Sequence, residues 1–190
     1  PSTLAMCLSQ NPSAVLFDAP MFNPEKYKTD AVMVRKNIYS LSAAEIASLK
    51  AGVAAMKATL PISDPTSWNY QASIHGSSST SPLPSWSTCQ HSNQFFLSWH
   101  RMYLYYFERI LRKKSGDPNL TLPYWDYQTN PVLHPDYRNS SSSNPLYDAT
   151  RYTSINSGGS LSSSISTSIN TSLNQIPFLT FQSQLEGVHG

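Results

Sequence analysis

Five histidines carry most of the chemistry this 190-residue sequence could perform: His75, His91, His100, His134 and His189. An isolated buried histidine is most often a hydrogen-bonded core residue, and that is the default at each position. The default weakens for three of them together. His75 closes a segment with helical signals, His91 lies just ahead of an aromatic helix, and His100 lies in the first turns of that helix. Three imidazoles can therefore converge on one point, and three neutral imidazoles suit zinc, copper, nickel or ferrous iron equally well by ligand type. His134, between Pro131 and Pro135 in an irregular stretch, reads as a surface residue. Cys7 and Cys89 are too few for a disulfide scaffold, and neither belongs to a Cys-x-x-Cys pair. Either they form one bridge or Cys89, two residues before His91, has chemistry of its own; the two options exclude each other.

The elements that must position these groups are legible in part. Residues 1–30, broken by Asn11-Pro12, Ala19-Pro20 and Asn23-Pro24, read as an ordered but mostly coiled N-terminal arm. Ser42-Ala-Ala-Glu45 is a capping box, and Ile46, Leu49, Val53 and Met56 then recur at helical spacing until Leu60-Pro61, which predicts a helix over 43–59. Trp68 to His75 reads as a second helix, started by Ser63-Asp64-Pro65 and ended by Gly76. Phe95 to Lys114 reads as a buried helix with Trp99, Tyr103, Tyr106 and Ile110 on one face and a basic last turn before Gly116. Leu120 to Tyr127 forms a short extended corner, and Ser140 to Ser143 is loop. The Ser/Thr/Ile alternation of Leu161 to Leu173 is compatible with a loop, a strand or a polar helix, because periodicity does not choose among them. Phe178 to Gly190 reads as a short helix bringing Glu186 toward His189.

Composition excludes several function classes. Lys and Arg number 13 against 11 Asp and Glu, so the chain offers no electrostatic footprint for nucleic acid or an anionic membrane. No apolar run approaches the roughly 18 residues that span a bilayer. Only 13% of residues are charged, while Ser, Thr, Asn and Tyr abound, a balance that leans toward a secreted or otherwise extracytoplasmic protein. The triplets at Asn119, Asn139 and Asn170 fit the glycosylation pattern, which arises easily in a serine-rich chain and supports secretion only for a eukaryotic source.

The text around the histidines narrows the metal. Cys89-Gln90-His91, then Phe96-Leu-Ser-Trp99-His100-Arg101-Met-Tyr103 with Glu108, then Leu122-Pro123-Tyr124-Trp125-Asp126, resembles the copper A region of the type-3 copper proteins: tyrosinases, catechol oxidases and molluscan-type hemocyanins. Val34-Arg35-Lys36 resembles fungal and hemocyanin-like members, whereas Gln71-Ala72-Ser-Ile74-His75 and Asn144-Pro145-Leu146-Tyr147 resemble plant polyphenol oxidases. The resemblance implies a mostly α fold, an antiparallel helix bundle with long coil connections and few short strands. It makes residues 31–190 the N-terminal part of a copper domain and His75, His91 and His100 its copper A ligands. Leu185-Glu186-Gly187-Val188-His189 is similar to the stretch leading into copper B, which makes His189 the first ligand of a second ion. The further copper B histidines are then expected on a second polypeptide or in sequence not included in this chain.

The resemblance further implies two copper ions per complete site, dioxygen and a phenolic small molecule as reactants, and oxidation of o-diphenols, with monophenols as a further substrate class, to o-quinones. Cys89 becomes a candidate for a thioether to His91, as in fungal tyrosinases and molluscan hemocyanins, against the alternative of a disulfide to Cys7. Glu186 matches the family glutamate that holds a water near the coppers and helps take a phenol proton. Phe95, Phe96, Trp99 and Trp125 are expected to supply a dry wall, and Arg101, Glu108 and Asp126 a buried charge network. Gly190, following His189 where strong monophenolases often carry asparagine, leans the expectation toward a catechol oxidase. Two alternatives stand beside the polyphenol oxidase reading: a hemocyanin-like reversible dioxygen carrier, and a copper-free relative whose histidines merely pack.

Overall fold

Helix formation begins where the sequence places its strongest local signal. In the computed structural model, which describes residues 32–189, the Ser42 hydroxyl accepts from the Glu45 amide while the Glu45 carboxylate accepts from the Ser42 amide, so two orphan N–H groups are satisfied at once. This opens α1, Ala43–Lys57. The other helices are α2 (Trp68–His75), α3 (Phe96–Ser115), α4 (Pro135–Arg138), α5 (Thr153–Asn156), α6 (Ser163–Leu173) and α7 (Phe178–Glu186). Among the described residues there is no sheet; extended backbone meets only at two isolated bridges, Asn37 with Tyr124 and Val132 with Ser160. The fold is mostly α with long irregular connections, as the sequence implies. The N-terminal arm, Cys7 and Gly190 lie outside the described residues.

The core forms where α1 crosses α3. Leu49, Val53 and Met56 from α1 meet Leu111 from α3, with Leu120 and Leu146 closing the ends and Trp68 and Phe107 packed against them. Met56 and Leu111 are fully buried, so truncating either to alanine costs about 2–5 kcal/mol. Gly52 sets how close the two helices come. A Cβ there would lie 2.8 Å from Leu111 Cδ1 and 3.0 Å from the Leu111 carbonyl oxygen. The far end of α3 stops at Gly116 in the left-handed region, φ 74°, and Arg112, Lys113 and Lys114 place positive charge on its C-terminal dipole.

Glu108, on the buried side of α3, is held by three donors. Arg35 Nε lies 2.8 Å from Oε2, Arg112 3.0 Å from Oε1, and the Leu122 amide 2.9 Å from Oε2. This carboxylate ties the segment before α1 and the corner after α3 to one point. The charge network expected from the sequence therefore contains Glu108 but neither of its proposed companions: Arg101 is exposed, and Asp126 accepts from Thr129 in a local turn.

Two further expectations are corrected, and one reading left open is decided. α3 is not a buried helix: Phe96, Glu108 and Leu111 are buried, whereas Met102, Tyr105 and Tyr106 are exposed, because among the described residues α1 covers one of its faces. His134 is not a surface residue; its Nδ1 accepts from the Asp136 amide at the start of α4, and its ring meets Tyr39 edge-on at 4.9 Å. The ambiguous Ser/Thr/Ile stretch is a helix. Ser162 caps it, Thr171 and Ser172 return their hydroxyls to carbonyls one turn back, and α6 packs on α7, so tertiary contact supports a run of poor helix formers.

Candidate metal centre

His75 is the last residue of α2, a two-turn helix too short to stand by itself. Ser67 caps it, the Gln71 side chain donates to the Pro65 carbonyl at 2.6 Å, and the Tyr103 hydroxyl donates to the Gln71 carbonyl at 2.7 Å. The last of these bonds pins α2 to α3 beside His75. His100, one turn inside α3, lies with Nδ1 2.7 Å from the Phe96 carbonyl oxygen. A carbonyl only accepts, so Nδ1 carries the proton and Nε2 presents a lone pair.

His91 sits in the loop before α3, and no local sequence pattern marks what orients it. The next residue, Ser92, has φ 55°, an unfavourable conformation for a residue with a side chain. That conformation aims the Ser92 amide and the His91 ring at the same oxygen. Glu186 Oε1 lies 2.7 Å from the amide nitrogen and 3.0 Å from His91 Nδ1. The carboxylate at the end of α7 thus fixes the tautomer that leaves His91 Nε2 free for a metal. Asn93 steadies the loop through its bond to the His91 carbonyl, and Gln182 of α7 donates to the Asn93 carbonyl.

His189 follows α7 directly, its amide bonded to the Glu186 carbonyl at 3.0 Å. The structure brings four imidazoles together, with one ligand atom each from His75, His91, His100 and His189 all within 4.8 Å of one another. His75 Nε2 is 3.3 Å from His189 Nε2 and 3.4 Å from His100 Nε2. Burial, and then the charges of neighbouring imidazoles, push the His75 and His189 rings below their ordinary value, toward the neutral form that binds metal. Four imidazole nitrogens converging on one point suit zinc, copper, nickel or ferrous iron by ligand type.

The surroundings are partly those expected. Phe96 is buried, with its ring centroid 4.5 Å from that of His100 and 5.2 Å from that of His189. Trp99 lies 4.9 Å from His100 and stacks on Tyr103. Phe95 does not belong to this wall: as the residue preceding α3 it is 52% exposed. Trp125 is turned elsewhere, its indole N–H donating to the Asn130 carbonyl. Cys89 Sγ is 3.2 Å from His100 Nε2, and burial, followed by the Glu186 charge, pushes its thiol above the usual value. An open cleft of about 620 Å³ borders the cluster, lined by His91, Asn93, Leu179, Gln182, Glu186 and His189 among others.

Tyr103, Ser92 and Asn93 are the positioning residues that sequence reading missed. Tyr103 could have been found, because it stands three residues from His100 on the same helical face. Ser92 and Asn93 left no signal, since a positive φ at serine is decided by the contact with Glu186.

A family-wide sequence profile described as the common central domain of tyrosinase matches residues 65–186. The chain is 39% identical over 116 residues to the tyrosinase HcTyr1 of Hahella sp., an alignment that covers 49% of this chain and 25% of that protein. It is 35% identical over 133 residues to the chloroplastic polyphenol oxidase II of Ipomoea batatas, covering 66% of this chain and 22% of that protein. The chain thus spans about a quarter or less of these relatives. A functional unit of octopus hemocyanin shares the fold, with a TM-score of 0.62 and 24% identity over 82% of this chain and 41% of that one. With a profile matched across most of its length and a histidine cluster suited to the family's metal, this chain belongs to the tyrosinase family of type-3 copper proteins.

Proposed function

We propose that this chain supplies the copper A ligands of a polyphenol oxidase, and that the complete protein oxidises o-diphenols to o-quinones with dioxygen. The observation that carries the reading is the convergence of His75, His91 and His100 with two outer nitrogens already committed, His100 Nδ1 to a carbonyl and His91 Nδ1 to a carboxylate. Such partners set tautomer and ring orientation before a metal arrives. Copper, when bound, supplies the redox chemistry that activates dioxygen.

The remaining roles belong to this chain's side chains. Glu186 commits Oε1 to His91 and Ser92, which leaves Oε2 as the oxygen that would hold a water and, through that water, accept the proton of an arriving phenol. Phe96 and Trp99 exclude solvent from one side, while the cleft beside Glu186 and His189 gives a planar phenol its approach. Cys89 is assigned the thioether to His91, in which one C–S bond replaces the Cys89 S–H and a His91 ring C–H, the two electrons and two protons going to dioxygen. A peptide map of copper-loaded protein tests it: an alkylation-resistant cross-linked peptide supports the bond, and a fully alkylated Cys89 rules it out. The remaining copper B histidines are assigned to a further polypeptide segment, and the protein to an extracytoplasmic setting; no described helix is long and apolar enough to cross a membrane.

Turnover of 4-methylcatechol by the complete copper-loaded protein tests the function. Quinone formation that disappears in H100A supports it. The fold shared with octopus hemocyanin favours a second reading, a reversible dioxygen carrier. That reading predicts dioxygen uptake and release without quinone. Copper well below stoichiometric after reconstitution would leave only the copper-free relative.

A further inference from the structure

This inference rests on the copper A reading of His75, His91 and His100, which leaves His189 for a second ion. A ligand reserved for a second ion should keep its nitrogen apart from the first ion's set. Here His189 Nε2 lies as close to His75 Nε2, 3.3 Å, as His100 Nε2 does, 3.4 Å. Four nitrogens at about 2.0–2.1 Å around one tetrahedral ion are about 3.3–3.4 Å apart along each edge, by geometry from ordinary metal–imidazole bond lengths. Two edges of such a tetrahedron are therefore already in place, and all four ligand atoms lie within 4.8 Å of one another.

Chain geometry supports the convergence. The His189 amide is tied to the Glu186 carbonyl, and the Glu186 side chain is tied to His91 Nδ1 and the Ser92 amide. One residue thus anchors both His91 and His189, one through its carboxylate and the other through its backbone. The His189 ring is further set among the others, 4.6 Å from the His100 centroid and 5.5 Å from both His75 and His91.

We propose that in this chain His75, His91, His100 and His189 close around a single ion as a four-imidazole tetrahedral site, with His189 occupying the position that would otherwise be open. A site with four protein ligands is of the closed, structural type, whereas catalysis needs a vacant position. The one-ion form of the chain would then be sealed to small exogenous ligands. It would open only when His189 leaves to serve a second ion held by other histidines. This makes His189 a gate on metal loading as well as a ligand.

Titration of the purified chain Pro1–Gly190 with Co(II) and Zn(II) tests this without any activity assay. The expected result is one ion per chain, an intense tetrahedral Co(II) visible spectrum, and no spectral change on adding azide. H189A should lower Zn(II) affinity at least tenfold, about the smallest loss seen on removing even an outer-shell partner. It should also make the Co(II) spectrum respond to azide. Because His189 is exposed and lies three residues beyond α7, far-ultraviolet dichroism will confirm that H189A keeps its helices. Two ions per chain, or H189A with unchanged affinity and a wild-type spectrum that already responds to azide, would overturn the closed site and leave the three-histidine copper A reading intact. No ion at all, or H75A binding as well as wild type, would overturn both.

Discussion

At the residue scale the centre depends on two carboxylates with different tasks. Glu186 is an orienting group: replacing it with alanine frees the His91 ring and should weaken copper binding by about 10–100-fold in a chelator competition. E186Q keeps an oxygen that accepts from His91 Nδ1 and the Ser92 amide, so it should retain most of that affinity. Equal losses in both variants would mean that the charge matters and not the hydrogen bond. Glu108 touches none of the histidines and is structural. Removing it in E108A strands Arg35, Arg112 and the Leu122 amide around a cavity, at a cost of about 3–5 kcal/mol in chemical denaturation. His75, His91 and His100 were legible as a candidate metal set from type and placement, whereas Cys89 beside His91 left two options open and Glu186 and His189 entered the site only through the resemblance to the type-3 copper proteins. What each touches was not legible. Phe95 and Phe96 are adjacent and of the same type, yet one is 52% exposed and the other 4%, a difference set by which side of the helix meets the imidazoles.

Among the elements, α1 was readable almost to the residue because its start is a local device and its apolar spacing a local pattern. Its cap makes two predictions. S42A should cost about 1 kcal/mol of stability. The Lys36 ammonium, and then the Ser42 cap, hold the Glu45 carboxyl down to about 2. In the unfolded chain it titrates near about 4.3, so the folded state favours the ionised form. That contribution is complete above about pH 5 and is lost as pH falls toward 2. The denaturation midpoints of wild type and E45Q should accordingly approach each other as pH falls from about 5 toward 2. The crossing of α1 and α3 makes a prediction opposite to helix propensity: G52A, which propensity favours, should destabilise by about 1–3 kcal/mol by pushing on the Leu111 side chain and carbonyl. A more stable G52A would show that the two helices can separate at no cost. The helix over Ser163–Leu173 was not readable, because serine and threonine bond equally well to the backbone in loops and helices, and only α7 alongside decides between them.

For the whole molecule, the exposed apolar side chains of α3 and α7, Met102, Tyr105, Tyr106, Phe178 and Leu179, lie on the two helices that carry or adjoin His100, Glu186 and His189. If a further polypeptide completes the second copper position, native mass spectrometry of the material from its source should give a mass above 21.1 kDa, with two coppers. A lone chain with one ion or none would oppose that assembly. The sequence by itself determined the resemblance to the type-3 copper proteins and the strongest helix, because a motif and a helical period are written in residue type and short spacing; by ligand type the histidines suit several metals equally, and only the resemblance singled out copper. Only the tertiary structure decided that Glu186 reaches across 95 positions to orient His91, that Glu108 pairs with Arg35 and Arg112 and not with Arg101, and that His189 joins the first three imidazoles at one point. Those contacts join residues far apart in the chain, and their partners are chosen by how α2, α3 and α7 pack, which no local pattern records.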